Sequence, residues 1–409
     1  MTPQTVFIIL VTIIVADFVL ENWLELLNVK NLSEKLPDEL KDLYDAEKYS
    51  LSQKYERENV LFGTITSTYN LLLILGMFFF GGFAWVDGLT ASITVHPIMQ
   101  PLLFFAITGL ALELLNMPFE VYDTFVIEQR FGFNNTTPRL FIADKLKGLL
   151  LSALMGGGLM AAVIWIYIQI PDYFWLLAWL LMSAFILFMA FFYSSLIVPL
   201  FNKQTPLEDG ELKQRITLFA QQAGFHIDKI YTIDGSKRST KANAYFSGLG
   251  RKKRIVLFDT LISELTADQI VAVLMHEIGH YRMKHIIISM ILSFAQAGIA
   301  LFLFSLLVSE PVLSQALGVQ EPCFHIGLIT FGILTSPLSI VLGLFMNVFL
   351  RKNEFQADNF AAKFGLSNDL IGALKKLSVN NLSNLTPHPF YVFFHYSHPT
   401  LLQRIRRLK

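Results

Sequence analysis

The pentapeptide His276-Glu277-Ile278-Gly279-His280 determines how the rest of this chain is interpreted. Residues four apart lie on one face of an α-helix, so His276 and His280 can both direct an imidazole nitrogen at one metal ion. The H-E-x-x-H pattern is typical of zinc sites in which two histidines bind the metal and the glutamate, here Glu277, is a general base for peptide hydrolysis. The pattern therefore predicts a helical zinc site with hydrolytic chemistry.

The residues before this motif predict the helix that its spacing requires. Thr266-Ala267-Asp268-Gln269 matches a capping box, in which the first and fourth side chains satisfy backbone groups at a helix N-terminus. Apolar residues then recur at helical spacing: Ile270, Val273, Leu274 and Ile278. We expect the helix to begin at about Ala267 and to continue through Arg282 and Lys284 into the next apolar segment, with these two cations at the membrane boundary.

The composition is that of a protein with several membrane-spanning helices. Hydrophobic residues make up 54% of the 409 residues, charged residues only 16%, and the mean hydropathy is +0.51. The formal net charge is zero, which gives no indication of a nucleic-acid partner. Cys323 is the only cysteine, so the sequence predicts neither a disulfide within the chain nor a thiolate zinc site. Histidine and carboxylate are therefore the expected zinc ligands.

Seven apolar segments are long enough to cross a bilayer, which takes about 20 residues of helix. They lie near residues 5–24, 60–86, 98–120, 147–170, 173–200, 286–309 and 325–350. The first is interrupted by Asp17 and Glu21. Loops rich in Lys and Arg alternate with loops that have none, namely 87–97, 171–172 and 310–324. By the positive-inside rule, we expect the N-terminus outside and the C-terminus in the cytoplasm.

The segment 201–285 is the largest soluble piece of the chain. Residues 201–210 are interpreted as a turn-rich linker, and a helix is predicted over roughly 211–224. Strands are predicted at Lys229–Ile233, Ala242–Ser247 and Arg254–Phe258, with Gly248-Leu249-Gly250 closing a hairpin between the last two.

The predicted fold class is an α-helical multi-pass membrane protein with a cytoplasmic α+β zinc metalloprotease domain. We divide the chain into spans one to five (1–200), the zinc-protease segment (201–285), spans six and seven (286–350) and a C-terminal cytoplasmic segment (351–409). This division puts the zinc site at the membrane edge, on the cytoplasmic side.

A third zinc ligand must come from elsewhere in the chain, since a catalytic zinc usually takes three protein ligands and keeps one position open. The best candidate is Glu354, just after the seventh predicted span and on the same side of the membrane as the two histidines. Asp358, four residues further on, shares its helical face and is placed to orient a ligand histidine through the other ring nitrogen. The alternative for Glu354 is a solvated helix carboxylate.

Several motifs together resemble the type I CAAX prenyl endopeptidases, which are integral-membrane zinc metalloproteases. Beside the pentapeptide, the motifs are Glu354-Phe355-Gln356-Ala357-Asp358, Ser397-His398-Pro399, the segment 201–210, Asn243-Ala244-Tyr245-Phe246, Phe125-Val126-Ile127-Glu128 and Gly132-Phe133-Asn134. The resemblance covers nearly the whole chain and implies seven helices around a large water-filled chamber, capped by the zinc domain. It also implies cleavage within C-terminal Cys-a-a-X sequences. The expected partners are therefore a peptide or protein with an apolar or lipidated C-terminus and the lipid bilayer.

The resemblance also implies roles for the residues of the metal site. His276, His280 and Glu354 match the ligands of one zinc ion, and Glu277 matches the base. Asp358 matches the acid that supports a ligand histidine.

Five further residues match the substrate side of the family's site. His398 matches a residue near the scissile carbonyl, with Arg404 in the segment that supports it. Asn243 and Ala244, followed by Tyr245, match the edge strand that holds the peptide. The chain lacks the longer insertions of many eukaryotic members and an ER-retention ending, which favours a bacterial plasma membrane; in a eukaryotic host the ER membrane is expected.

Three other functions share part of this pattern. An intramembrane site-2-type protease also carries H-E-x-x-H in a membrane helix, but it needs a Leu-Asp-Gly ligand inside a later span, and Glu354 lies outside one. A broad quality-control protease on the same zinc fold, without preference for Cys-a-a-X ends, is left open by the sequence. A metal transporter would need ligands at mid-membrane and no general base.

Polar and small residues within the spans give two further expectations. Asn70, Glu113, Asn116 and Glu120 fit the lining of a chamber, with hydrogen bonding between helices as the alternative. Gly156-Gly157-Gly158 indicates close helix packing.

Overall fold

The computed structural model of the chain describes residues 1–33, 40, 46–227, 229–247 and 254–409. Within these residues, seven helices are long and apolar enough to cross a membrane, which confirms the predicted number of spans. They are Pro3–Lys30, Glu47–Phe79, Met99–Glu128, Pro138–Gln169, Pro171–Phe201, His285–Leu307 and Phe324–Ala362. The fold is therefore that of a helical multi-pass membrane protein.

The spanning segments contain the following regular elements. In chain order they are α1 (Pro3–Lys30), α2 (Ala46–Phe79), α3 (Gly82–Ile93), α4 (Met99–Tyr122), α5 (Pro138–Leu151), α6 (Gly158–Gln169), α7 (Phe174–Phe192), α8 (Val198–Phe201), α12 (His285–Leu307), α13 (Pro311–Ala316) and α14 (Phe324–Ala362). Wider π-helical turns, at Asp123–Glu128, Ser152–Gly157 and Tyr193–Ile197, continue α4, α5 and α7.

The soluble part consists of a small sheet and the helices around it. Its elements are β1 (Gln204–Pro206), α9 (Glu211–Gln222), β2 (Lys229–Ile233), β3 (Ala244–Ser247), β4 (Arg254–Phe258), α10 (Asp259–Glu264), α11 (Ala267–Arg282), α15 (Ser367–Asn380), α16 (Pro389–His395) and α17 (Leu401–Leu408). The described part of the sheet has the strand order β1-β2-β4-β3, in which β2 and β4 are parallel and the two outer strands are antiparallel to their neighbours.

The three predicted strands are present, and the interpretation of 201–210 as a linker alone is wrong. Gln204–Pro206 forms the edge strand β1, paired antiparallel with β2. Three residues that include a proline give no periodic signal, and an edge position tolerates the missing N–H. The predicted turn Gly248-Leu249-Gly250 lies outside the described residues.

The second span is shorter than predicted. We expected it to run to residue 86, but α2 ends at Phe79, and α3 begins at Gly82 as a separate helix. Gly81 between them has φ 66°, in the left-handed region that glycine enters at little cost, so the chain turns there. The apolar run continues through the turn, which is why hydropathy alone does not detect it.

The polar residues that interrupt the first span have partners in the protein. Ser336 Oγ of α14 donates a hydrogen bond to Asp17 Oδ2 at 2.7 Å, and Glu21 Oε2 lies 3.3 Å from His395 Nε2. In the third span, Glu113 and Glu120 both form ion pairs with Lys145 of α5. For Glu113 and Glu120, the structure therefore shows ion pairs between helices, which is the alternative to a chamber lining.

The prediction of close packing at Gly156-Gly157-Gly158 is wrong. A β-carbon added at any of the three would have no atom within 4 Å. The segment instead includes part of a π-helical turn, in which the backbone itself widens.

The seven spanning helices have few buried residues. In the most apolar window of each helix, at most 17% of the residues are buried inside the protein. Two buried apolar clusters lie at one end of the spanning helices. One includes Leu10, Phe104 and Ile326, and the other Phe174 and Phe324. The soluble domain packs its own core around β4 and α11 at the other end.

The helix that carries the pentapeptide does not continue into the sixth span, contrary to the prediction. Helix α11 ends at Arg282, and Lys284 has φ 62°, an uncommon conformation for a residue with a β-carbon. The Lys284 N–H donates to the Tyr281 carbonyl at 3.0 Å, and α12 begins at His285. The break redirects the chain and moves His285 to a position that a straight helix would not give it.

Candidate active site

Helix α11 begins with the predicted capping box. Thr266 Oγ1 accepts a hydrogen bond from the Gln269 N–H at 3.3 Å, and Gln269 Oε1 accepts one from the Thr266 N–H at 3.1 Å. The apolar face is buried through Ile270, Leu274 and Ile278. The helix is therefore fixed in rotation, which directs His276 and His280 to the side opposite this core contact.

The central glycine of the motif brings α11 and α14 close together. A β-carbon at Gly279 would lie 3.0 Å from Phe360 Cβ and 3.1 Å from Ala357 Cα, closer than ordinary side-chain contacts. Glu354 lies about one turn before Ala357 on α14, and Asp358 directly follows Ala357. Glycine at position 279 therefore allows two carboxylates of one helix to face two histidines of the other.

Three donor groups, two imidazoles and one carboxylate, meet between these helices. His276 Nε2 and His280 Nε2 are 3.2 Å apart, His280 Nε2 lies 3.1 Å from Glu354 Oε1, and His276 Nε2 lies 3.5 Å from Glu354 Oε2. Zinc bonds of about 2.0–2.1 Å at tetrahedral angles hold their donor atoms about 3.3 Å apart. The observed separations therefore fit one zinc ion with an open fourth position.

The carboxylate of Glu354 supports the same conclusion. Its Oε2 is buried and accepts no well-aligned hydrogen bond from the residues that the structure describes, although His398 Nδ1 lies 2.9 Å away. A buried carboxylate oxygen without a hydrogen bond is costly, and a cation between the three donors would satisfy it.

His276 is held from its other side by a buried ion pair. Asp358 is fully buried, and its Oδ1 lies 2.8 Å from His276 Nδ1. Arg404 of α17 donates to the same carboxylate from Nε at 2.9 Å and from Nη2 at 2.5 Å, a bidentate arrangement. Burial lowers the pKa of His276, but the bonds with Asp358 and Glu354 outweigh it and raise that pKa to about 9. Asp358 thus fixes the ring so that Nε2 faces the other two donors.

His280 has an equivalent support that the sequence did not reveal. His285 Nδ1 lies 3.1 Å from His280 Nδ1, and His285 Nε2 lies 2.8 Å from Gln356 Oε1. Because the Gln356 oxygen only accepts, His285 must donate through Nε2 and accept from His280 through Nδ1. On a continuous helix His285 would point about 140° away from His280, so only the break at Lys284 makes this contact possible.

Two further predicted residues, Glu277 and His398, lie beside the three donor groups but are not among them. Glu277 is half-buried beside His276 on α11, and among the described residues its carboxylate has no hydrogen-bond or ion-pair partner. His398 precedes α17, and its side chain is 66% exposed although Nδ1 reaches Glu354. Both side chains are therefore available to a bound peptide.

Strand β3 is an edge of the described sheet, and alternate residues present their backbone groups outward. The Asn243 carbonyl accepts from the Phe258 N–H at 3.1 Å, so Asn243 and Tyr245 turn their backbone groups towards β4. Ala244 and Phe246 turn theirs to the free edge. Asn243 Oδ1 already accepts the Ala244 N–H at 2.8 Å. The Tyr245 hydroxyl lies 3.4 Å from Ser194 Oγ and links β3 to the fifth span.

Comparison with known proteins places these features in a family. Residues 25–203 match the family model described as CAAX prenyl protease N-terminal, five membrane helices, and residues 206–409 match peptidase family M48. CAAX prenyl protease 1 of Saccharomyces cerevisiae is 35% identical over 96% of this chain and 93% of its own length. The chain belongs to the CAAX prenyl protease 1 family of M48 peptidases. The predicted resemblance is therefore confirmed.

Other relatives show the same similarity over nearly the whole length. The CAAX prenyl protease 1 homologues of Dictyostelium discoideum and Homo sapiens are 37% and 32% identical, over 92% and 91% of this chain and 89% and 88% of their own. The crystal structure of S. mikatae Ste24p superimposes with a TM-score of 0.94 at 34% identity, and 99% of each chain is covered. This family membership identifies the chain as a multi-pass membrane metallopeptidase and argues against the site-2 and transporter alternatives.

Proposed function

We propose that this chain is a zinc endopeptidase that hydrolyses peptide bonds near the C-terminus of CAAX-type polypeptides, including prenylated ones. The observation that carries the proposal is the donor set of His276, His280 and Glu354, whose three donor atoms all lie within 4.8 Å of one another beside Glu277. The names of the relatives support the substrate class. The catalytic cofactor is one zinc ion per chain, held by these three residues.

The residues of the chain provide the acid–base part of the reaction. Bound zinc supplies Lewis-acid activation of water and of the scissile carbonyl. Glu277 takes the proton of the attacking water and delivers it to the leaving amine, for which its unpaired carboxylate is suited. His398 donates a hydrogen bond to the carbonyl oxygen as negative charge develops there. Loss of a single donor of this kind typically costs about a hundredfold or more in kcat.

The substrate binds as an added strand along the free edge of β3. Its backbone pairs with the outward carbonyl of Ala244 and with the outward N–H and carbonyl of Phe246, and its side chains alternate between the two faces. The Asn243 amide nitrogen is the additional donor to the peptide. Tyr245 contributes by anchoring the strand to the fifth span through Ser194.

An apolar groove between α12 and α14 suits the apolar or lipidated end of the substrate. It has a volume of about 430 Å³ and is lined by residues that include Ile299, Leu338, Leu342, Phe345 and Phe349. That size falls within the range of ligand pockets, about 300–1,000 Å³. Phe349 lies five residues before Glu354 on α14, about 7–8 Å along the helix axis. A peptide cut at the zinc can therefore extend its apolar tail into this groove.

Cleavage of a matched pair of peptides tests the activity and separates it from broad quality-control proteolysis. One peptide ends in a prenylated Cys-a-a-X sequence, and the other has the same residues in scrambled order at its end. We expect cleavage of the first alone by the wild-type protein, and none by Glu277→Gln, which should retain the zinc ion of the catalytic site. Glu211→Gln, at a 79% exposed carboxylate, is the matched control and should behave as wild type. Equal cleavage of both peptides would favour the quality-control function, and wild-type turnover by Glu277→Gln would refute the mechanism.

The proposal includes the membrane and the orientation. The active site lies on the cytoplasmic side of the membrane. That membrane is the plasma membrane of a bacterium, or the ER membrane in a eukaryotic host. Single-cysteine labelling after replacement of Cys323 tests the orientation: reagent outside should label 87–97 and 310–324 but not 201–285. The reverse pattern would refute it.

A further inference from the structure

A second cluster of metal-binding side chains lies where α3 meets the start of α14. Asp87 belongs to α3, Cys323 is the N-cap of α14, and His325 is in its first turn. One donor atom from each of the three lies within 4.8 Å of the other two. His325 Nε2 is 2.8 Å from Asp87 Oδ1, which also accepts a hydrogen bond from Gln100 Nε2 at 3.0 Å.

This cluster is separate from the active site. His325 and Glu354 lie on the same helix, 29 residues apart (354 − 325), which corresponds to about 44 Å along its axis. The two groups of side chains therefore lie at opposite ends of the spanning helices, and no ion can be shared between them.

His325 is built into the protein but incompletely bonded. It is 1% exposed, with its ring 4.6 Å from that of Phe104, yet Nδ1 is buried without a hydrogen-bond partner among the residues that the structure describes. Burial of an unsatisfied ring nitrogen is costly, and Asp87 accounts for only the other nitrogen. A metal ion bound at Nδ1 would remove this cost while Asp87 holds Nε2–H. A metal ion bound at Nε2 would instead replace the hydrogen bond between Nε2 and Asp87 Oδ1 by ligation from both residues.

We propose that Asp87, Cys323 and His325 bind a second divalent transition-metal ion, of the borderline-soft class to which Zn²⁺ and Co²⁺ belong. Thiolate, imidazole and carboxylate are the three ligand types that zinc accepts, and three such ligands leave one position for water. This proposal departs from the expectation of no thiolate zinc site, which was drawn from the single cysteine, because histidine and aspartate can complete the set. The ion would tie α3 to the start of the seventh span, at the end of the bundle away from peptide hydrolysis.

Cobalt substitution in the full-length, detergent-solubilised protein tests this site. Because Cys323 is the only cysteine, a thiolate-to-cobalt charge-transfer band in the near ultraviolet can arise from this site alone. After removal of bound metal and reloading with Co²⁺, we expect two equivalents per chain and this band. Cys323→Ser should lose the band and one equivalent, and its zinc-loaded form should cleave peptide at the wild-type rate. His276→Ala should lose the other equivalent and keep the band.

Two outcomes would overturn the proposal. One is a wild-type protein that retains a single equivalent and shows no band. The other is an Asp87→Asn or His325→Gln variant that folds, as judged by an unchanged equivalent at the catalytic site, and still shows the band at wild-type intensity.

Discussion

Replacement of Asp358 by asparagine is the most direct test of how the zinc site is held together. The substitution keeps the size of the side chain and one oxygen for His276 Nδ1–H. It removes the negative charge that faces the Arg404 guanidinium across bonds of 2.9 and 2.5 Å. In Asp358→Asn the Arg404 guanidinium is buried without its counter-ion. Its Nη2 lies 3.3 Å from Nδ1 of the His276 ring, whose orientation Asp358 would otherwise fix.

The magnitude follows from the burial of this pair. Loss of a partner that orients a ligand histidine typically costs 10- to 100-fold in metal affinity, which is about 1.4–2.7 kcal/mol. Removing one member of a buried ion pair also costs about 3–5 kcal/mol of folding free energy, because Asp358 is fully buried and Arg404 only 9% exposed. We therefore expect Asp358→Asn to lower both the zinc affinity and Tm, and Arg404→Met to do the same.

Competition with a chelator of known affinity measures the zinc dissociation constant, and kcat/KM is measured separately at saturating zinc. In the double variant the two losses should be clearly less than additive, because both changes remove the same contact. Asp209→Asn, at a 94% exposed carboxylate, is the control for the loss of one charge. Zinc affinity within twofold of wild type in Asp358→Asn would refute the role given to this carboxylate.

Three further predictions address the remaining parts of the site. Asn243→Ala should lower kcat/KM strongly at unchanged zinc content and Tm. Asn243→Asp should lower kcat/KM equally, because it removes the amide nitrogen that donates to the peptide. Wild-type activity in Asn243→Asp would show that Asn243 only shapes the strand. His285→Phe should weaken zinc binding about 10- to 100-fold while its fold is kept, whereas an unchanged zinc affinity would show that Gln356 and His285 do not orient His280. Because the pKa of His276 is raised to about 9, this histidine carries a proton at neutral pH in the metal-free protein, and zinc must displace that proton. Zinc affinity should therefore increase about tenfold per pH unit up to pH 9. A zinc affinity that does not change from about pH 6 to 9 would contradict this.

The features predictable from the sequence are those with a strong local pattern. Seven long apolar runs predicted the number of spans, and the capping box with the apolar face after it predicted where α11 begins. The strands around Ile230 and Val256 had enough β-branched residues to be recognised. In each case the pattern and the element have the same length scale, so a window of residues contains the whole signal.

The features that were missed depend on single backbone angles or on contacts distant in sequence. The left-handed conformations of Gly81 and Lys284 end helices within runs whose apolar pattern continues. The resemblance named Arg404 as a supporting residue, but its contact with Asp358 joins residues 46 positions apart and is visible only once α17 is packed against α14. A side-chain pattern describes what a segment buries, and it does not determine where the backbone turns.

The arrangement also explains why this zinc site is built into a membrane bundle. In our proposal, α11 supplies two zinc ligands, and the third ligand with its supporting aspartate is on the extension of the seventh span. After a two-residue turn, α11 is followed by the sixth span. The close approach at Gly279 fixes the two helices relative to each other, and the groove between α12 and α14 is a continuation of the same pair. Helix α14 thus carries a proposed zinc ligand and also lines the apolar groove, and the other groove helix, α12, directly follows the helix of the two histidines. In our proposal, the position of the lipid tail in the membrane therefore determines which peptide bond reaches the zinc.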